Sequence, residues 1–159
     1  MPNFTYCSLN IDGSKEHLEK FYNENKSDEL ELDFFKSAPL QNDIEASDIW
    51  GTKWNAIDCE AEFQNDGDSG VTLHYQFQTA WDEPYGWFKI VAQKYPELEF
   101  CIAFEDEGWM HCGEYEAYNG VVDYNKYEYG DPEFERTYRE QNSDEEWEEY
   151  VSEREEQSE

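Results

Sequence analysis

The chain has 159 residues, of which 40 are acidic and 11 basic, giving a formal net charge of −29. Duplex DNA takes about 49 Å of axis to carry as many charges, and a compact fold of this length is about 40 Å across, so the protein rivals DNA in charge per unit length. This argues against binding to a nucleic-acid backbone or to anionic lipid, and in favour of basic partners.

The length suits one domain with a substantial core, plus a tail. The composition is 38% hydrophobic and 18% aromatic, and disordered acidic chains are poor in aromatics, so most of this one is expected to fold. No apolar run reaches membrane-spanning length, and no basic segment followed by an apolar one opens the chain. The expectation is a soluble protein, cytoplasmic in its host cell. Cys7, Cys59, Cys101 and Cys112 form no C-x-x-C pair and sit among apolar neighbours, which reads as four small buried side chains in a reducing compartment. Cys101, His111 and Cys112 match no zinc spacing, and neither a metal nor a cofactor is expected.

Residues 4–11 alternate loosely, as a strand does, and end at the turn signal Asp12-Gly13. Ser14 is placed to cap a helix over about 15–25, with Leu18, Phe21 and Tyr22 as its apolar stripe. Residues 26–50 read as a loop with a helical turn near 42–48. From Trp54 to Phe63 the alternation is clearest: Ile57, Cys59, Ala61 and Phe63 on one face, Asp58, Glu60 and Glu62 on the other. A turn at 65–70 leads to a paired strand with Val71, Leu73, Tyr75 and Phe77 inward. A helix follows near 84–95, with Pro84 in its first turn and Phe88, Val91, Ala92 and Tyr95 on one side; Pro96 ends it. Leu98, Phe100, Ile102 and Phe104 mark a strand at 97–105. Glu107-Gly108 is a turn, residues 109–118 form a further strand, and Asn119-Gly120 is a hairpin signal before Val121-Val122.

The order βαββαβ, with an added C-terminal hairpin, is the ferredoxin-like plan: an α+β fold whose antiparallel sheet has both helices on one face. This domain takes residues 1–130. Residues 131–159 hold 13 acids and all three arginines, and form an acidic extension that is expected to be helical. Ser143 to Glu146 is a capping box, after which Trp147, Tyr150, Val151 and Arg154 share one helix face.

Several stretches resemble the YubB-like family, ferredoxin-like proteins encoded on plasmids and phages. The opening Met1-Pro-Asn-Phe4, with Cys7, Gly13, Leu18 and Phe21, is similar to the family's start. Trp50-Gly-Thr-Lys-Trp-Asn-Ala56 resembles its most distinctive motif. Thr79-Ala-Trp-Asp-Glu-Pro84, Tyr95-Pro96, Glu105-Asp-Glu-Gly108 and Tyr118-Asn-Gly120 fit its later elements. The likeness covers about residues 1–122 and leaves the acidic extension outside. It implies the fold and a mobile-element origin, and it brings no catalytic residues.

Two readings of the Trp50–Asn55 segment stand side by side. Trp50, Lys53, Trp54 and Asn55, with Trp81 nearby, line a small-ligand or peptide pocket; or the two Trp rings close one end of the sheet as a structural corner. Catalysis has little support: His17, His74 and His111 are scattered, and no nucleophile-elbow, zinc-protease or phosphate-loop pattern occurs. The acidic turn around Asp66 and Asp68 lacks the ligand order of a calcium loop. Residues 1–130 contain 8 Lys and no Arg against 27 acids, so phosphate contact is repulsive.

The acids themselves form rows. Residues i and i+2 of a strand lie about 6.6–6.8 Å apart, close to the spacing of neighbouring phosphates on one DNA strand. Asp58, Glu60 and Glu62 make one such row, Glu97, Glu99 and Glu105 a second, Glu114 and Glu116 a third; Glu145, Glu148 and Glu149 stack on a helix. The leading expectation is an acidic DNA-mimic inhibitor from a phage or plasmid. It would occupy the DNA-binding cleft of a basic host protein such as a restriction enzyme, CRISPR effector or other nuclease. The alternatives are a ligand- or peptide-binding module built on Trp50–Asn55, and a binder of a basic protein unrelated to DNA. Self-repulsion at this charge lowers stability at low ionic strength. The melting temperature should therefore rise between about 20 and 300 mM salt; a flat or falling trend would contradict a densely acidic surface.

Overall fold

The computed structural model describes residues 3–40, 44–65, 70–108 and 111–128, together with residues 136, 137, 140, 141, 145, 146, 148, 149 and 152. The expectations for 66–69, for the capping box at 143 and for the face carrying Trp147, Tyr150, Val151 and Arg154 lie outside these residues.

Six strands form one antiparallel sheet: β1 (Phe4–Gly13), β2 (Ile57–Asn65), β3 (Val71–Ala80), β4 (Glu99–Asp106), β5 (His111–Tyr118) and β6 (Val121–Glu128), in the order β2-β3-β1-β4-β5-β6. The helices are α1 (Lys15–Asn25), α2 (Phe34–Ser37), α3 (Ala46–Ile49) and α4 (Tyr85–Lys94). None of the described helices is long and apolar enough to cross a membrane. Strand β1 is paired from end to end, with β3 along one side and β4 along the other. Its alternate residues Cys7, Leu9 and Ile11 are buried with Leu73, Tyr75 and Phe77 of β3 and Phe100, Ile102 and Phe104 of β4. Helices α1 and α4 cover this face: Phe21 meets Tyr75 and Phe100 edge-on, and Phe88 packs against Phe100 and Tyr115.

Ser14 caps α1 by accepting from the His17 amide, and Leu18 and Phe21 are buried as its periodicity predicts. Several boundaries differ from expectation. β1 runs through Asp12-Gly13, which pair with Thr72 and Val71 instead of turning. The segment 26–50 contains α2 as well as α3, and Phe34 of α2 stacks on Trp87 at 4.7 Å. Pro84 is the residue before α4, not part of its first turn, and the helix buries Trp87, which the apolar stripe had missed. β4 begins at Glu99, so Glu97 lies in the preceding turn. Cys59 and Cys101 are half-buried, while Cys7 and Cys112 are fully buried; all four are free thiols. Asn119 and Gly120 both have positive φ, as the two-residue turn between β5 and β6 requires.

The Trp50 segment is a corner, which is why β2 starts at Ile57 and not at Trp54. Pro84 offers no side-chain cap to α4. Instead the Trp50 carbonyl accepts from the amides of Gly86 and Trp87, at 3.0 and 3.1 Å, and so satisfies two donors that a helix start leaves open. The approach is close: a Cβ at Gly86 would meet the Ile49 carbonyl oxygen at 2.0 Å, and one at Gly51, which has φ +86°, would meet the Tyr85 ring at 2.5 Å. The Trp50 indole N–H donates to the Ala38 carbonyl at 2.8 Å, and the ring lies edge-on to Phe34 and Phe35. Asn55 is also structural, its side-chain oxygen accepting from the amides of Phe34 and Ala56.

Trp50 is 1% exposed and Trp54 is 44% exposed, which separates the two. Trp50→Ala should destabilise by about 3–5 kcal/mol, and Trp54→Ala by no more than about 0.5 kcal/mol. Urea denaturation of the two variants checks this, and equal losses would contradict the corner.

Candidate partner-binding face

The sheet's second face carries no helix from the α1–α4 set. Register places Tyr6, Ser8, Asn10 and Asp12 of β1 on it, opposite Gln78, Gln76, His74 and Thr72 of β3. These eight form a polar trough along the two central strands. His74 Nδ1 lies 2.6 Å from Asn10 Oδ1, and the Thr72 hydroxyl donates to Asp12 at 2.5 Å. The sequence alternation of β1 and β3 contained this trough, since its residues are the polar partners of the core positions.

Acids flank the trough on both sides. On the β2 side, Glu60 and Glu62 pair with Gln76 and His74, and both are exposed. The even row expected from Asp58 does not form. A bulge between Ile57 and Glu60 sets two residues, Asp58 and Cys59, against the single Phe77, and Asp58 has φ +50°. Ile57 therefore pairs with Gln78, on the Glu60 side, instead of joining Ala61 and Phe63. Asp58 still lines the same surface cavity as Glu60. On the other side, Glu99 and Glu105 of β4 sit on this face, with Glu114 and Glu116 of β5 beside Ala103 and Cys101. Asp123 of β6 pairs with Glu116 and extends the group. Glu97 does not belong to it, being in the turn. Glu145, Glu148 and Glu149 have helical backbone and are exposed.

Like charges crowd at Glu114 and Glu116. A hydrogen bond with Glu114 holds the Glu116 carboxyl above its ordinary range, reinforced by the charges of Glu114 and Asp123. The neighbouring Cys101 thiol donates to Glu114 at 3.2 Å. Burial, then that bond and the surrounding carboxylates, push its pKa up to about 12. Burial likewise raises Cys59 and Cys112 to about 12, and Cys7 further. In each case burial disfavours the thiolate form.

A cavity of about 340 Å³ opens in the trough, lined by Tyr6, Ser8, Gln76, Gln78, Ala103 and Glu105 among others. Gln141 closes one side of it and donates to the Gly113 carbonyl at 2.9 Å. The residues proposed for a tryptophan pocket differ in their settings. Trp50 is core and Asn55 is committed to backbone amides, whereas Lys53 lies over the exposed Trp54 ring at 5.7 Å. Trp81 is 48% exposed, with φ +74°. Sequence reasoning missed a further group altogether: Glu83, buried beside His111, Thr5 and Tyr115. Its members come from three distant segments, and a lone Glu before a proline gives no signal of burial.

Strand order 2-3-1-4 with two crossover helices over one face defines an α+β ferredoxin-like protein. The chain belongs to the family of the ferredoxin-like domain in Api92-like protein, whose family model matches residues 50–159. The YubB-like resemblance thus holds at the level of a ferredoxin-like domain family, and the matched span includes the acidic segment that the resemblance left outside. The match starts at Trp50 and so covers β2 to β6, while β1, which joins β3 to β4, lies before it. No curated protein and no solved structure matches this chain.

Because the Glu116 carboxyl is raised in the fold, the native state holds that proton more tightly than the unfolded chain does. Stability from this group is full below the ordinary glutamate range and declines as pH rises through the native value. Between about pH 4 and 7, the melting temperature of the wild type should fall further than that of Glu116→Gln. Parallel slopes in the two thermal-melt series would contradict the shared proton.

Proposed function

We propose that this protein is an acidic inhibitor that takes the place of DNA in the cleft of a basic, DNA-handling protein. The observation that carries the reading is the distribution of charge over the sheet face opposite α1 and α4: two acidic margins with a mainly polar trough between them. Adjacent strands are about 4.7–4.9 Å apart, so β2 and β4, three steps apart, are separated by about 14 Å. The two phosphate backbones flank a major groove about 12 Å wide. Glu60 and Glu62 on β2, and Glu114 and Glu116 on β5, stand two residues apart, at a spacing close to that of phosphates, and the crowding of Glu114, Glu116 and Asp123 is relieved when a cationic surface faces them. A YubB-like, plasmid- or phage-borne origin fits such a role. Restriction enzymes, CRISPR effectors and other nucleases are targets of suitable chemistry.

A second reading is favoured by the trough cavity: a ligand- or peptide-binding module centred on Tyr6, Gln76 and Gln78 instead of on Trp50–Asn55. Salt separates the two, since charge mimicry weakens steeply with ionic strength and an uncharged pocket does not.

The test is displacement. Protein titrated into a complex of its basic partner with duplex DNA should release the DNA and form no ternary complex. Glu60→Lys with Glu62→Lys, or Glu114→Lys with Glu116→Lys, should weaken displacement at least about tenfold at low salt, while Glu16→Lys with Glu19→Lys on α1 should leave it within about twofold. A stable complex of partner, protein and DNA would refute occupation of the DNA path.

A further inference from the structure

On the opposite side of the sheet, where the segment after β3 enters α4, polar side chains meet inside the core. Glu83 is 1% exposed, and His111 at the start of β5 and Thr5 of β1 are buried with it. One carboxylate oxygen of Glu83, Oε1, accepts from the Tyr115 hydroxyl and lies 3.2 Å from Lys126 Nζ. The other, Oε2, has no hydrogen-bond partner among the described residues, and stands 3.5 Å from His111 Nε2. That nitrogen is also 3.4 Å from Thr5 Oγ1, whose hydroxyl already donates to the Trp81 carbonyl. Both distances exceed those of an ordinary N–H···O bond, about 2.7–3.2 Å. An unpaired buried carboxylate oxygen is costly, and here it points at a nitrogen donor that is poorly used. The Asp82 carboxylate completes the group, the three donor atoms lying within 4.8 Å of one another.

We propose that Asp82, Glu83 and His111 bind one divalent transition-metal cation of the zinc type. A tetrahedral ion with bonds of about 2.0–2.2 Å separates its ligand atoms by about 3.4 Å, close to the Glu83–His111 distance. An imidazole among two carboxylates selects zinc-like ions over magnesium and calcium, which take all-oxygen sets. Three protein ligands leave the fourth position to water. Glu83 and His111 form the closed floor, and the approach is from the side of Asp82 and Lys126, whose side chains are 51% and 31% exposed. The Lys126 ammonium, 3.6 Å from Asp82 and 3.2 Å from Glu83, acts as counter-ion until a metal arrives, and its flexible stem lets it withdraw. The ion takes the lone pair of a neutral His111 Nε2; any proton on that nitrogen passes to water or, by tautomer exchange, to Nδ1. The partly exposed trio Cys101, Glu114 and Glu116 also brings three donors together, but the Cys101 thiol is bonded to Glu114 and, among the described residues, no buried orphan atom points into it.

Cobalt(II) titrated into the full-length chain, followed by visible absorption, tests the site. One equivalent should give the intense bands of four-coordinate cobalt, displaced by zinc. His111→Ala and Glu83→Gln should abolish the bands, and Cys101→Ser with Glu114→Gln should leave them unchanged. Lys126→Met, which removes the competing cation, should tighten cobalt binding at least about tenfold. In the wild type, zinc should shift the imidazole NMR signals of His111 and not those of His17 or His74, a readout that stands even where a core variant does not fold. The proposal is overturned by absent bands, by bands that survive His111→Ala or vanish with Cys101→Ser, by weaker binding in Lys126→Met, or by uptake of several weakly held ions per chain.

Discussion

Everything in this molecule hangs on the pairing of β1. Its backbone is bonded on one side to β3 and on the other to β4, from Phe4↔Ala80 to Gly13↔Val71 and from Thr5↔Asp106 to Asp12↔Glu99. Without it, the β2-β3 hairpin and the β4-β5-β6 meander share no hydrogen-bonded edge. Because side chains alternate along a strand, the same ten residues supply the centre of the core through Cys7, Leu9 and Ile11 and half the polar trough through Tyr6, Ser8, Asn10 and Asp12. The Glu83 cluster depends on it too, through Thr5. The family match beginning at Trp50 therefore describes a set of strands that become one sheet only when β1 is inserted between them.

The two faces make opposite demands, and magnitudes decide between them. Each exposed pair of like charges destabilises by a fraction of about 1 kcal/mol, less as salt rises. A buried aromatic ring contributes several times as much; losing one costs about 3–5 kcal/mol. Phe21, Phe34, Trp50, Tyr75, Trp87, Phe88 and Phe104 are all fully buried. This density of rings on one face lets the other carry Glu60, Glu62, Glu99, Glu114, Glu116 and Asp123 together. The charge is thus a burden that the core offsets.

What could be read from the sequence was periodic. Leu73-Tyr75-Phe77 and Phe100-Ile102-Phe104 announce strands by alternation, Leu18-Phe21 announces α1, and Ser14 announces its start. The trough residues were legible as the complement of those positions. What escaped was set by contacts between distant segments. The bulge at Asp58 and Cys59 breaks a row that looks regular in one dimension. The role of Trp50 as the cap of α4 requires knowing that Gly86 has no side chain to hold it off. Glu83, His111, Thr5 and Lys126 are linked only through the strand order.

The account stands on the claim that the sheet face opposite α1 and α4 is the binding surface. Amide hydrogen exchange of the full-length chain, alone and saturated with its basic partner, tests this most directly. Protection should increase in β2, around Glu60 to Gln64, and in β4 and β5, around Glu99, Glu105 and Glu114 to Glu116, with α1 and α4 unchanged. Protection confined to α1, α4 or the Trp50 corner, with the sheet margins unaffected, would contradict it.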